Sequence, residues 1–164
     1  MHAKLRTALA PTLGLAVVPA AVGDNSGGFD ASWNALRDVE LRSAVEKFYT
    51  DTFNDDAQIR RYFAPGYVQH VDGKTLRFDE FLTHLGFLRR ATKSLCFEVI
   101  DALYTEGLLA DRHRVHFVKD NGETAEVEVL AFLRIEDGRI VELNELTQVI
   151  RGDEADRALG SRLC

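Results

Sequence analysis

Cofactor-free proton transfer needs a base, an acid and a dry place to put them. In this sequence the residues that could supply the first two are His70, His113 and Glu145. An imidazole changes charge near neutral pH and serves as a general base, and a carboxyl nearby can orient it or steady an enolate. His70 lies in Tyr67-Val68-Gln69-His70-Val71-Asp72-Gly73, with apolar residues at alternating positions and a glycine at the end. That stretch reads as a short strand carrying one imidazole to the mouth of a cavity. The expected chemistry is removal of a proton next to a carbonyl by His70, with Glu145 or His113 orienting it or stabilising the enolate. Tyr49, Tyr67, Phe81, Asp101 and Leu143 are expected to bind the ligand. No glycine-rich phosphate loop, nucleophile elbow or HExxH helix is present. His113 and His116 would face opposite sides of a strand, so no metal site is expected and no cofactor is called for.

The elements that must position these groups follow from periodicity. Leu41, Ala44, Val45, Phe48, Tyr49, Thr52 and Phe53 recur at helical spacing. Asn54-Asp55-Asp56 stops that helix, and either aspartate can cap a short second one with Ile59, Tyr62 and Phe63 on its buried face. Pro65-Gly66 is expected to end it as a turn. A third helix is predicted over 78–91, with Phe78, Phe81, Leu82, Leu85 and Leu88 as its stripe and His84 at the stripe's edge.

Beyond Lys93 the period becomes two. Strands are predicted at about 95–104, 109–118, 125–135 and 140–150, separated by Gly107, Asn121-Gly122 and Asp137-Gly138. Three helices and an antiparallel meander make an α+β domain, with the helices on one face of a curved sheet. Alternation then aims Glu145, Leu143 and Thr147 inward on the last strand, His113 on the second and Asp101 on the first. Ile140, Leu146 and Ile150 fall on the outer face, where they suit a sheet-to-sheet homodimer.

The 164 residues fit one domain able to bury its own core. A net charge of -6 argues against a nucleic-acid partner, and the chain has no apolar run of membrane-spanning length. Cys96 lies in an apolar run and reads as a small buried hydrophobe, with a disulfide to Cys164 as the lesser alternative. Residues 1–28 stand apart as a leader. Lys4 and Arg6 precede an uncharged run from Thr7 to Val22, with small residues at Ala20, Ala21 and Gly23. This is the layout of a secretory signal, which would make the protein exported or periplasmic. The other reading is a disordered leader, or a start codon placed too early, on a cytoplasmic protein. Residues 29–164 are then the domain.

The order of elements, ending in Glu136-Asp137-Gly138-Arg139-Ile140-Val141-Glu142, resembles the NTF2-like superfamily, and within it the SnoaL-like group. Tyr67, Gln69, His70 and Gly73 match that group's Tyr-x-Gln-His…Gly stretch, and Arg134, Gly138, Arg139 and Ile140 match its late strand turn. The resemblance covers roughly residues 38–151. It implies a cone-shaped cavity with an acid or base near His70. In similar ketosteroid isomerases a second acid falls at about Ala131, where this chain has none. SnoaL-like relatives often carry a His-Trp-Asp run where this chain has Leu143-Asn144-Glu145. The expected function is a pocket protein for a small apolar carbonyl compound, acting as an isomerase, cyclase or aldol-type enzyme. The alternative is a non-catalytic ligand-binding or dimerisation module.

Overall fold

A computed structural model describes residues 27–156. The expected leader, apart from its last two residues, and Cys164 lie outside the described residues. The elements in order are a 3-10 turn (Ala31–Ala35), α1 (Asp38–Asn54), α2 (Asp56–Tyr62), β1 (Phe63–Val71), β2 (Lys74–Arg77), α3 (Phe78–Ala91), β3 (Thr92–Thr105), β4 (Leu108–Lys119), β5 (Thr124–Glu136) and β6 (Arg139–Arg151). The domain is α+β, with three α-helices and one curved, open sheet. Asp55 caps α2 by accepting the Ala57 N–H at 2.8 Å, satisfying one of the helix's free donors.

The sheet is larger and more mixed than four antiparallel strands. Its order is β2-β1-β6-β5-β4-β3. The meander starts at the far edge with β3 and works back, so β6 arrives beside β1 running in the same direction. This parallel pairing needs a long crossover, which β2, α3 and the meander supply. Pro65 and Gly66 lie inside β1 rather than ending α2. They sit where the register with β6 shifts between Phe63 and Val68, the kind of bulge that tolerates a missing ladder donor.

Two further bulges decide which side chains face inward. In β3 the register shifts between Val99 and Asp101, so Ile100 is an extra residue and the alternation reverses. Val99 is buried while Asp101 is exposed and paired with Arg112, whose Nε donates to its Oδ2 at 2.8 Å. The expectation that Asp101 aims inward and binds ligand is therefore corrected. Near the start of β6, Val141 is the extra residue between the pairs Ile135–Ile140 and Arg134–Glu142. Ile140 is consequently buried instead of lying on the outer face. Cys96 is exposed, contrary to its reading as a buried hydrophobe, because it shares the outer face of β3 with Glu98.

Gly27 and Gly28, assigned to the leader from sequence, pack in the fold. A side chain at Gly28 would collide with the Tyr62 ring, so only glycine fits there. Phe29 follows into an aromatic cluster with Trp33, Phe48, Tyr62 and Tyr104, and its N–H donates to the Gly138 carbonyl at 3.0 Å. Gly138, at φ 72°, and Asp137, at φ 50°, form the tight turn between β5 and β6 that left-handed backbone permits. Among the described residues no helix is long and apolar enough to cross a membrane.

Candidate active site

Between the helices and the concave face of the sheet lies a cavity of about 120 Å³. For scale, a cavity of about 150 Å³ can hold benzene. α1 contributes Tyr49, α3 contributes Phe81 and His84, β1 contributes Gln69, β4 contributes His113, and β6 contributes Leu143, Glu145 and Thr147. Most of the wall is aliphatic or aromatic, so its few polar groups act in poorly hydrated surroundings.

The first polar group is a chain of three. His113 and Asp111 are two apart on β4, hence on the same face, and both are buried. His113 Nδ1 lies 2.5 Å from Asp111 Oδ1, and the Tyr49 hydroxyl donates to Asp111 Oδ2 at 2.8 Å. The hydrogen bond places a proton on Nδ1, which leaves Nε2 as the ring nitrogen free to accept one. Burial, and then the neighbouring Asp111 charge, push the Tyr49 hydroxyl well above its ordinary value. Tyr49 therefore stays neutral and acts as a donor.

The second group is Glu145. Gln69 Nε2 donates to its Oε1 at 2.8 Å. Desolvation raises the Glu145 carboxyl from 4.5 to about 8; the Gln69 hydrogen bond opposes this, while Asp72 and Asp111 add to it. At neutral pH Glu145 is mostly protonated and can donate a hydrogen bond. Asp72, at the β1–β2 turn, braces this end of the wall by accepting from the Thr147 N–H at 2.9 Å and from the Thr147 hydroxyl.

Register relates the two groups. Asp111 pairs with Ala131, and Ala131 pairs with Glu145, so the two carboxyls stand in one row with a methyl group between them. Two strand spacings separate their backbones, about 10 Å. The position that the resemblance assigns to a second acid, about Ala131, thus lies between one carboxyl on each neighbouring strand.

Of the residues singled out from sequence, Tyr49, Phe81, His113, Leu143 and Glu145 come together around the cavity. Tyr67 is buried behind the wall, against Phe63 and Phe81, and its hydroxyl has no hydrogen-bond partner. His70 is not in the cavity. Tyr67, Gln69 and Val71 are buried, so His70 points to the other face of the sheet. There it lies 3.1 Å from Thr75 Oγ1 and borders a shallow hollow beside Leu130, Phe132 and Leu146. The residues missed are Gln69 and Asp111, with His84 unused. The alternation that makes Tyr67 and Val71 apolar already assigned Gln69 to the inner face, and counting back two from His113 gives Asp111. Among the described residues, no group of three or more His, Cys, Asp and Glu side chains is arranged to hold a metal ion.

Comparison with known proteins agrees with this architecture. The SnoaL-like domain matches residues 45–143. An uncharacterised protein of Schizosaccharomyces pombe is 36% identical over 115 residues, covering 70% of this chain and 88% of its own length. Among solved structures, PrhC from Penicillium brasilianum superposes with a TM-score of 0.57 at 15% identity, covering 71% of this chain and 81% of its own. IdmH from Streptomyces antibioticus, a proposed polyketide cyclase, gives 0.55 at 21%, covering 63% and 88%. At such identities the structural likeness speaks for the fold alone. The domain match, which spans more than half of the chain, carries the assignment further: the chain belongs to the SnoaL-like domain family.

Proposed function

We propose that this protein binds a small, mainly apolar carbonyl compound and catalyses proton transfer at the carbon next to the carbonyl. His113 Nε2 takes the proton from carbon. The C–H electron pair forms the new C=C bond, and the carbonyl π pair takes the proton of Glu145, giving an enol. Asp111 stabilises the imidazolium through its contact with Nδ1, while Tyr49 holds Asp111 in place. The reading rests on one observation: a carboxylate-oriented histidine and a carboxyl that stays protonated face the same apolar cavity. A basic nitrogen and a hydrogen-bond donor that face one substrate are what acid–base transfer requires. His113 thus takes the base role expected of His70.

The test is hydrogen exchange at the α-carbon of cyclohexanone in D₂O, followed by NMR. The wild type should accelerate exchange, and His113→Ala should lose about a hundredfold of that acceleration. His70→Ala should leave it unchanged. Binding of the ketone without accelerated exchange would favour the ligand-binding alternative.

A second copy of the chain is the partner proposed for the outer sheet face. Leu130, Phe132 and Leu146 are neighbours across β5 and β6 and are 47%, 55% and 64% exposed. The Asp101–Arg112 and Arg134–Glu142 ion pairs flank this patch. An apolar strip rimmed by charge on both sides suits self-association about a two-fold axis. Sedimentation should find a dimer that Phe132→Glu converts to monomer without altering ketone exchange; a monomeric wild type refutes it.

A further inference from the structure

Gln69 is 4% exposed, lines the cavity, and spends its Nε2 on Glu145. Its other amide atom, Oε1, is buried without a hydrogen-bond partner. A desolvated acceptor left unpaired costs about 1–3 kcal/mol, so natural folds seldom keep one in a wall without a use for it. Leu143, its β6 partner, has no polar hydrogen to give, and the Tyr49 hydroxyl is spent on Asp111.

We propose that Gln69 recognises a hydroxyl hydrogen of the ligand, so that Gln69 and Glu145 together form a hydroxyl-binding pair at the polar end of the cavity. This rests on the proton-transfer reading above and deepens it. A ketone oxygen has no hydrogen to offer Oε1, so Gln69 gains nothing from the starting compound. When the carbonyl oxygen has taken the Glu145 proton, the new enol O–H can donate to Gln69 Oε1. The Glu145 carboxylate left behind accepts from Gln69 Nε2, the orientation already present in the fold. One amide thus steadies both products of the transfer, and this gain appears only after the proton has moved. A cavity of this size suits monocyclic or short-chain hydroxy or enolisable carbonyl compounds.

The experiment uses three probes of similar size, phenol, toluene and cyclohexanone, with Kd measured by NMR titration at neutral pH for the wild type and Gln69→Met. Methionine keeps the length and volume of glutamine without its amide. Phenol should bind the wild type more tightly than toluene, although water retains phenol better. In Gln69→Met phenol should weaken about tenfold while toluene is unchanged. Equal losses for phenol and toluene would make Gln69 merely structural and overturn the proposal. A loss confined to cyclohexanone would mean that the amide shows its N–H to the cavity, which also overturns it. Toluene binding better than phenol to the wild type overturns it without any variant. If none of the three probes binds, the small-ligand reading itself fails, an outcome distinct from all the others.

Discussion

Asp111→Ala is expected to destabilise the folded chain by about 3 kcal/mol, read as a lower midpoint in urea unfolding. The substitution strips a partner from two groups at once. The Tyr49 hydroxyl loses its acceptor at 2.8 Å, and His113 loses the carboxylate that fixes its tautomer. A buried group left unpaired costs about 1–3 kcal/mol; His113 is buried and Tyr49 half-buried, so the two losses together come to about 3 kcal/mol. Tyr49→Phe should cost less, because Asp111 then keeps His113. The double variant should be less destabilised than the sum of the two, since the groups share one network. Asp111→Asn is the functional counterpart. It keeps the volume but can present its N–H to Nδ1, forcing the wrong tautomer, so ketone exchange should fall even where folding survives. A cost for Asp111→Ala below about 0.5 kcal/mol, the level of an ordinary surface change, would show that the three residues do not act together.

The second large effect is a pH dependence of stability carried by Glu145. Its folded-state value, about 8, is above the 4.5 of an ordinary glutamate. Between these two values the folded chain holds a proton that the unfolded chain has released. Stability from this group is therefore fully present below about 4.5 and is lost as pH rises toward and through 8. The whole difference corresponds to up to about 5 kcal/mol. Glu145→Gln, which keeps shape and has no proton to lose, should remove the slope. Urea midpoints at several pH values from mildly acidic to mildly alkaline would measure both. A wild-type curve as flat as that of Glu145→Gln in this window would mean that the carboxyl is solvated, and the acid role in proton transfer would fall with it.

Sequence periodicity alone exposed most of the fold. The span of α3, the four long strands and the Asp137-Gly138 turn all appear where apolar spacing and turn chemistry put them. What it missed came from single inserted residues. Ile100 and Val141 each reverse the alternation of a strand, which turned Asp101 outward and Ile140 inward. Nothing in the type of either residue announces a bulge. The parallel union of β1 with β6 was also beyond local pattern, because it joins segments far apart in the chain. The site was half legible. His113 and Glu145 followed from the pleat, whereas His70 stands one position out of step with the inward-facing Gln69. In a strand the face is decided by parity before chemical type is considered.

That union of β1 with β6 has a consequence for how the molecule comes into being. The hydrogen bond from Gln69 to Glu145 bridges 76 positions of chain, and the Asp72 brace reaches nearly as far, to Thr147. A nascent polypeptide emerging from the ribosome could hold the histidine, its aspartate and most of the sheet. It would still lack Glu145 and the strand that completes this side of the cavity wall. The cavity wall is therefore completed only once β6 has been made and has reached β1.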